Sequence, residues 1–147
     1  MAKLRGRQRA VGGTLVLDAE GLVKLANGNP LAMSLARDTH SADAQIVTAA
    51  TTLAEVLRGG SADASLHRVL SRIAIFPIGA QEGRAAGKLL GQTGLSGHRC
   101  ALDALLAVVA LAQPRPAILL TSDPKDLARL TEEPLCPRGQ RIQVVRA

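Results

Sequence analysis

TLVLDAEGLVKLANG, residues 14–28, decides the fold. Its opening TLVL is a short apolar run of strand formers that ends on Asp18, and EGLVKLANG after it reads as a helix closed by Gly28. The same succession returns near the other end of the chain. There ILLTS, residues 118–122, is a strand running into Asp123, and Asp123-Pro124 opens a helix. A strand that ends on an acid and passes directly into a helix is the unit from which parallel sheets are built.

Working outward, Pro30 to Thr39 predicts a second helix, and QIVTA at Gln45–Ala49 a second strand. TTLAEVLRGG, residues 51–60, predicts a helix capped by Thr51 or Thr52 and stopped by Gly59-Gly60, with Glu55 in its first turns. A helix over 62–72, a strand over 73–78 and a helix over 81–90 follow, and then Gly91, Gly94 and Gly97 mark a loop. The helix that contains Asp103 ends at Pro114 and Pro116, and RIQVV at 141–145 alternates like an edge strand. Strands alternating with helices predict an α/β fold whose mostly parallel sheet is covered on both faces. In such sheets ligands bind beyond the carboxyl ends of the strands, where Asp18 and Asp123 lie.

A chain of 147 residues is long enough for one domain with a real core and short for two. The division predicted is a basic N-terminal arm over 1–13 and a single domain over 14–147. Of the net charge of +6, Lys3, Arg5, Arg7 and Arg9 supply four, which leaves +2 for the rest. Such an arm is suited to phosphates, or serves only to solubilise. One Phe and no Trp or Tyr exclude an aromatic stacking platform for single-stranded nucleic acid, so contact with it would be electrostatic. Cys100 and Cys136 lack CxxC or Cys/His ligand spacing, which argues against structural zinc and a disulfide framework. His98, His40 and His67 read as structural or surface residues. Without a signal-peptide h-region or a membrane-length apolar run, the protein is expected to be cytoplasmic, with no membrane partner.

Asp103 is the only charge between Cys100 and Ala112, CALDALLAVVALA. A carboxylate in so apolar a helix is costly unless something holds it ionised, and a divalent cation would do so. Each acid also has a structural reading. Asp103 at a helix edge would face water, Asp18 would cap its helix, Asp123 with Asp126 approaches a capping box, and Glu55 would be solvated. These readings do not explain acids at two strand ends together with one in the most apolar helix. Clustered carboxylates raise one another's pKa unless cations lie between them, and Mg²⁺ or Mn²⁺ prefers hard oxygen ligands.

TLVLDAEGL, TTLAEVLRG, ALDALLAVVALA and ILLTSDPKDL, in that order, resemble the motifs of the PIN domain, and the likeness runs from about Thr14 to Arg146. The resemblance implies a three-layer α/β/α sandwich and a Mg²⁺- or Mn²⁺-dependent ribonuclease, often the toxin of a VapBC-type toxin–antitoxin pair. It implies Asp18, Glu55, Asp103 and Asp123 as catalytic metal ligands, Thr121 or Ser122 as their hydroxyl neighbour and Asp126 as a possible accessory. RNA as substrate, an antitoxin partner and a homodimer are implied in the same way. Ala19-Glu20 departs from the small or hydroxyl residues usual after the first acid.

Lys24, Arg58, Arg84 and Arg99 flank the proposed site and are candidates for phosphate contact, or are ordinary solvated cations. The rival of another class is a catalytically silent module of the same fold that binds RNA or protein. A P-loop at GRAAGK, 83–88, is one residue short and is followed by Leu89, and a receiver domain lacks its second acidic cluster and strand-end Lys.

Overall fold

Every strand runs into or out of a helix with almost no connecting chain, and this fixes the layer arrangement. The computed structural model describes residues 13–147. The basic arm predicted from Lys3, Arg5, Arg7 and Arg9 lies outside the described residues. In chain order the elements are β1 (Thr14–Leu17), α1 (Ala19–Ala26), α2 (Pro30–Ser41), β2 (Gln45–Ala49), α3 (Ala50–Val56), α4 (Ala64–Leu70) and β3 (Ala74–Phe76). They continue with α5 (Ala80–Thr93), α6 (Gly97–Leu111), β4 (Ala117–Thr121), α7 (Pro124–Leu130) and β5 (Gln143–Arg146).

The five strands form one sheet in the order β3-β2-β1-β4-β5, and every pairing is parallel. The chain builds outward from β1 to β3, then crosses back to place β4 on the other side of β1. That reversal makes the β1/β4 boundary the switch point of the sheet. Alternation along the strands then sorts the core into two layers. Val16, Val47, Leu119 and Ala117 face α6 and α7 through Leu106, Val109, Ala110 and Leu127. Leu15, Leu17 and Leu120 face α1, α2 and α4 through Leu22, Leu25, Ala32, Leu66 and Leu70. With so few aromatics the layers close on aliphatic side chains, and Ala86, Ala104, Ala107 and Leu130 let α5 pack closely on α6 and α7. This is the α/β/α sandwich expected, with a wholly parallel sheet.

Local differences from the sequence expectation have simple causes. The 45–49 strand passes into α3 without a loop, so Ala49 takes the cap position and makes no side-chain cap bond. Thr51 and Thr52 therefore fall inside the helix, and Thr52 is buried rather than capping. The helix stops at Val56, ahead of Gly59-Gly60, because Leu57 is already extended. Asp63 closes the turn that follows: its Oδ2 accepts the Arg58 and Gly59 amides, both at 2.8 Å. Those two amides hold its carboxyl below the usual range. The predicted 62–72 helix begins as a short 3₁₀ turn, Ser61–Asp63. Gly91, expected in a loop, lies inside α5, which ends at Gly94 in the left-handed conformation, φ 70°.

Gly13, the last residue counted with the arm, has φ +93°, and a Cβ there would stand 2.1 Å from the Pro116 carbonyl oxygen. Arg115, beside it in the fold, forms an ion pair with Glu133 at 2.6 Å and also donates to the carbonyls of Leu111, Gln113 and Gln140. It thereby ties the end of α6 to the loop before β5. Arg115→Ala leaves several of these acceptors without a partner and is expected to cost about 2 kcal/mol, read from urea denaturation midpoints. A loss below about 0.5 kcal/mol would show the cluster to be solvated, as exposed ion pairs are. Among the described residues, no single helix is long and apolar enough to cross a membrane.

Candidate metal centre

Asp18 is the first residue after β1, and its Oδ1 accepts the Gly21 amide at 2.7 Å, capping α1. Its own amide donates to the Leu120 carbonyl of the neighbouring strand at 3.3 Å. The register Leu17↔Leu120 sets Thr121 directly beside Asp18. Thr121 is 1 % exposed, and its hydroxyl accepts the Asp123 amide at 3.1 Å while lying against the Asp18 carboxyl. A single hydroxyl therefore couples the two strand-end acids across the switch point.

Glu55 comes from α3, which leaves the end of β2, the strand next to β1. Asp103 comes from the other layer. Because α6 leads into β4, it runs antiparallel to the strands, and its first turns overhang their carboxyl ends. Asp103 lies one turn before Leu106 on the stripe that packs on the sheet, half-buried at the level of the strand ends.

All four predicted acids, Asp18, Glu55, Asp103 and Asp123, line one cavity of about 180 Å³, together with Thr121 and Ser122. Glu20 joins them as a fifth carboxylate. Among the described residues no Lys, Arg or His is on its wall; the remaining lining is Ala19, Leu102 and Leu106. From the sequence Glu20 is a departure from the motif, an extra acid that would either alter metal geometry or point to solvent, and it lines the cavity. The signal was its place two residues beyond a strand-end acid, in the first turn of a helix that starts at the site.

The electrostatics follow from that composition. Burial pushes the Asp103 carboxyl up, and Asp18, Asp126 and Asp123 add to it. Burial likewise raises Glu55, with Asp103, Asp18 and Glu20 contributing. Burial raises Asp18 too, opposed by the Thr121 hydroxyl and the Gly21 amide. The donor set is hard oxygen with excess negative charge, which fits Mg²⁺ or Mn²⁺ and fits an anion badly. The acids ring the cavity and do not meet at a point: among the described residues no three His, Cys, Asp or Glu groups stand as a ready-made metal cage.

The capping box is not formed, since the Asp123 side chain makes no cap bond. Asp126 turns from the cavity wall toward Cys100, whose buried Sγ lies 3.7 Å from its Oδ2. Burial, then Asp126, pushes that thiol up. Arg58 is committed to carbonyls at the end of its own helix, those of Ala54, Glu55 and Leu57, and Lys24 donates to the Ala147 carbonyl at 3.1 Å. Arg84 and Arg99 are exposed and off the wall. Arg146, unremarked in the sequence, donates from Nε to the carbonyl of Ser122, itself a lining residue, at 3.3 Å.

Fold and cavity together define a PIN-like sandwich with an acid-lined site at its switch point. Among solved structures of this fold, the chain is similar to a chain of VapBC2 from Rickettsia felis bound to a DNA fragment from their promoter, at 22 % identity and TM-score 0.61, over 90 % of this chain and 98 % of that one. It is also similar to a chain of VapBC-1 from nontypeable Haemophilus influenzae, at 18 % identity and TM-score 0.61, over 90 % of this chain and 97 % of the other. Both neighbours are VapBC toxin–antitoxin complexes. No family model and no curated protein matches the sequence.

Proposed function

We propose that this protein is a metal-dependent endoribonuclease that hydrolyses RNA phosphodiesters, acting as the toxin of a toxin–antitoxin pair. The observation that supports it most is the cavity with five carboxylates and, among the described residues, no basic group, set at the β1/β4 switch point. Asp18, Glu55, Asp103 and Asp123 would hold Mg²⁺ or Mn²⁺, with Glu20 adding charge. A bound divalent ion supplies a Lewis acid for the phosphate and a water of lowered pKa. Thr121 keeps Asp18 and Asp123 in register, while Leu102 and Leu106 form the apolar side of the wall. Among the described residues, Arg146, tethered to Ser122 near the cavity, is a cation placed to meet an RNA phosphate.

The two VapBC neighbours favour a protein antitoxin as partner, and a homodimer in the cytoplasm is the assembly proposed. Single-stranded or looped RNA should be the target, because splayed strands present their phosphates. The test is cleavage of such RNA with Mg²⁺ or Mn²⁺ against an EDTA control. Deleting residues 1–10 should weaken RNA binding and flatten its salt dependence while leaving the chemistry intact. RNA binding without metal-dependent cleavage would favour the catalytically silent module instead.

A further inference from the structure

We propose that Gly21 is a positioning residue of the acid cavity, holding Asp18 in register with Thr121 and Asp123 because it has no side chain; this rests on the metal-site reading. Gly21 is the third residue of α1 and is buried where that helix crosses the end of β4. A Cβ there would stand 2.5 Å from the Leu120 carbonyl oxygen and 3.3 Å from Asp18 Oδ1. The first contact is with sheet backbone, which cannot move aside as a flexible side chain would. The Gly21 backbone lacks positive φ, so conformational freedom does not explain the residue. Glycine in a helix is about 1 kcal/mol less favourable than alanine, and close approach is what offsets this.

The crossing organises the site through two short links. The Leu120 carbonyl that Gly21 approaches also accepts the Asp18 amide, at 3.3 Å. The next residue, Thr121, accepts the Asp123 amide and borders the Asp18 carboxyl. The Gly21 amide itself fixes Asp18 Oδ1 at 2.7 Å. A methyl group at position 21 drives α1 off β4, and Asp18 moves with it relative to Thr121 and Asp123.

The experiment compares wild type, Gly21→Ala and Leu25→Ala, the last a variant that loses core packing on the same helix without touching Asp18. Calorimetric titration with Mn²⁺ is expected to give an affinity weaker by roughly 10–100-fold for Gly21→Ala, the usual effect of disturbing groups that orient metal ligands. Leu25→Ala should keep the wild-type affinity despite its lower melting temperature. In the metal-free proteins, amide NMR shifts of residues 121–123 should move in Gly21→Ala and stay in Leu25→Ala. Wild-type affinity in Gly21→Ala, or equal loss in both variants, overturns the positioning role. If wild type itself takes no Mn²⁺, the metal-site reading fails, and unchanged shifts at 121–123 in Gly21→Ala overturn this inference independently.

Discussion

Asp103→Asn should leave the metal-free protein at least as stable as wild type while RNA cleavage falls by more than about a hundredfold. The two halves of that result have one cause. Asp103 is half-buried in an otherwise apolar helix, and burial together with Asp18, Asp126 and Asp123 disfavours its charge. Among the described residues the ion pair found is Arg115–Glu133, so no cation compensates Asp103. Asparagine keeps size and hydrogen-bonding capacity and removes the repulsion, which relieves the fold. It also removes a hard anionic ligand, and loss of a direct ligand should exceed the roughly 10–100-fold usual for groups that only orient one. Thermal melting without metal and cleavage with Mn²⁺, on the same preparation, check both halves. Destabilisation with cleavage retained would mean that Asp103 is a structural charge and the metal assignment is wrong.

The second large effect is on stability against pH and metal. Asp18, Glu55 and Asp103 have folded pKa values raised above the 3.8, 4.5 and 3.8 of their free forms. Above the raised folded values, the folded protein bears the cost of the crowded charges. As pH falls through the raised folded values, the folded state takes up protons before the unfolded state does, and stability rises until about pH 4. Asp63 works the other way: its value is lowered, so its contribution holds above its free value of 3.8 and is lost below it. Without metal, the melting temperature should therefore climb as pH falls from 7 toward the free values of 3.8 to 4.5. With Mn²⁺ a hundredfold above Kd, stability at pH 7 should gain about 2.7 kcal/mol. For a domain of this size that is a melting shift of roughly 5–11 °C. The metal-bound protein should then lose stability toward pH 5 as protons compete for the same oxygens. A melting temperature indifferent to millimolar Mn²⁺ at pH 7 would remove the metal from the account.

Most of the layer order was legible because it rests on local signals. The run ending at Asp18, the strand Gln45–Ala49 and the helix opened by Asp123-Pro124 each declare themselves within a few residues, and their alternation leaves few ways to build a sheet. Asp103 was conspicuous for the same reason, a charge in a helix with no other. What misled locally was also local. Thr51 and Thr52 have the chemistry of caps, but β2 enters α3 without a loop, so the cap position falls on Ala49. Gly91 has the look of a breaker, yet packing of α5 on α6 carries the helix through it to Gly94.

The sequence by itself determined which residue types stand at strand ends and in the apolar helix, because hydrophobic period, turn residues and charge are properties of neighbouring positions. Only the tertiary structure decided that Asp18 and Asp123 share the Thr121 hydroxyl, that α6 overhangs the sheet far enough to bring Asp103 to them, and that Glu20 completes the ring while Asp126 turns to Cys100. Those relations follow from the β1/β4 register and from the crossing of α1 over Leu120, contacts between segments about a hundred residues apart. Chain-local chemistry holds no record of such distances. They are set when side chains from both layers close on the same sheet.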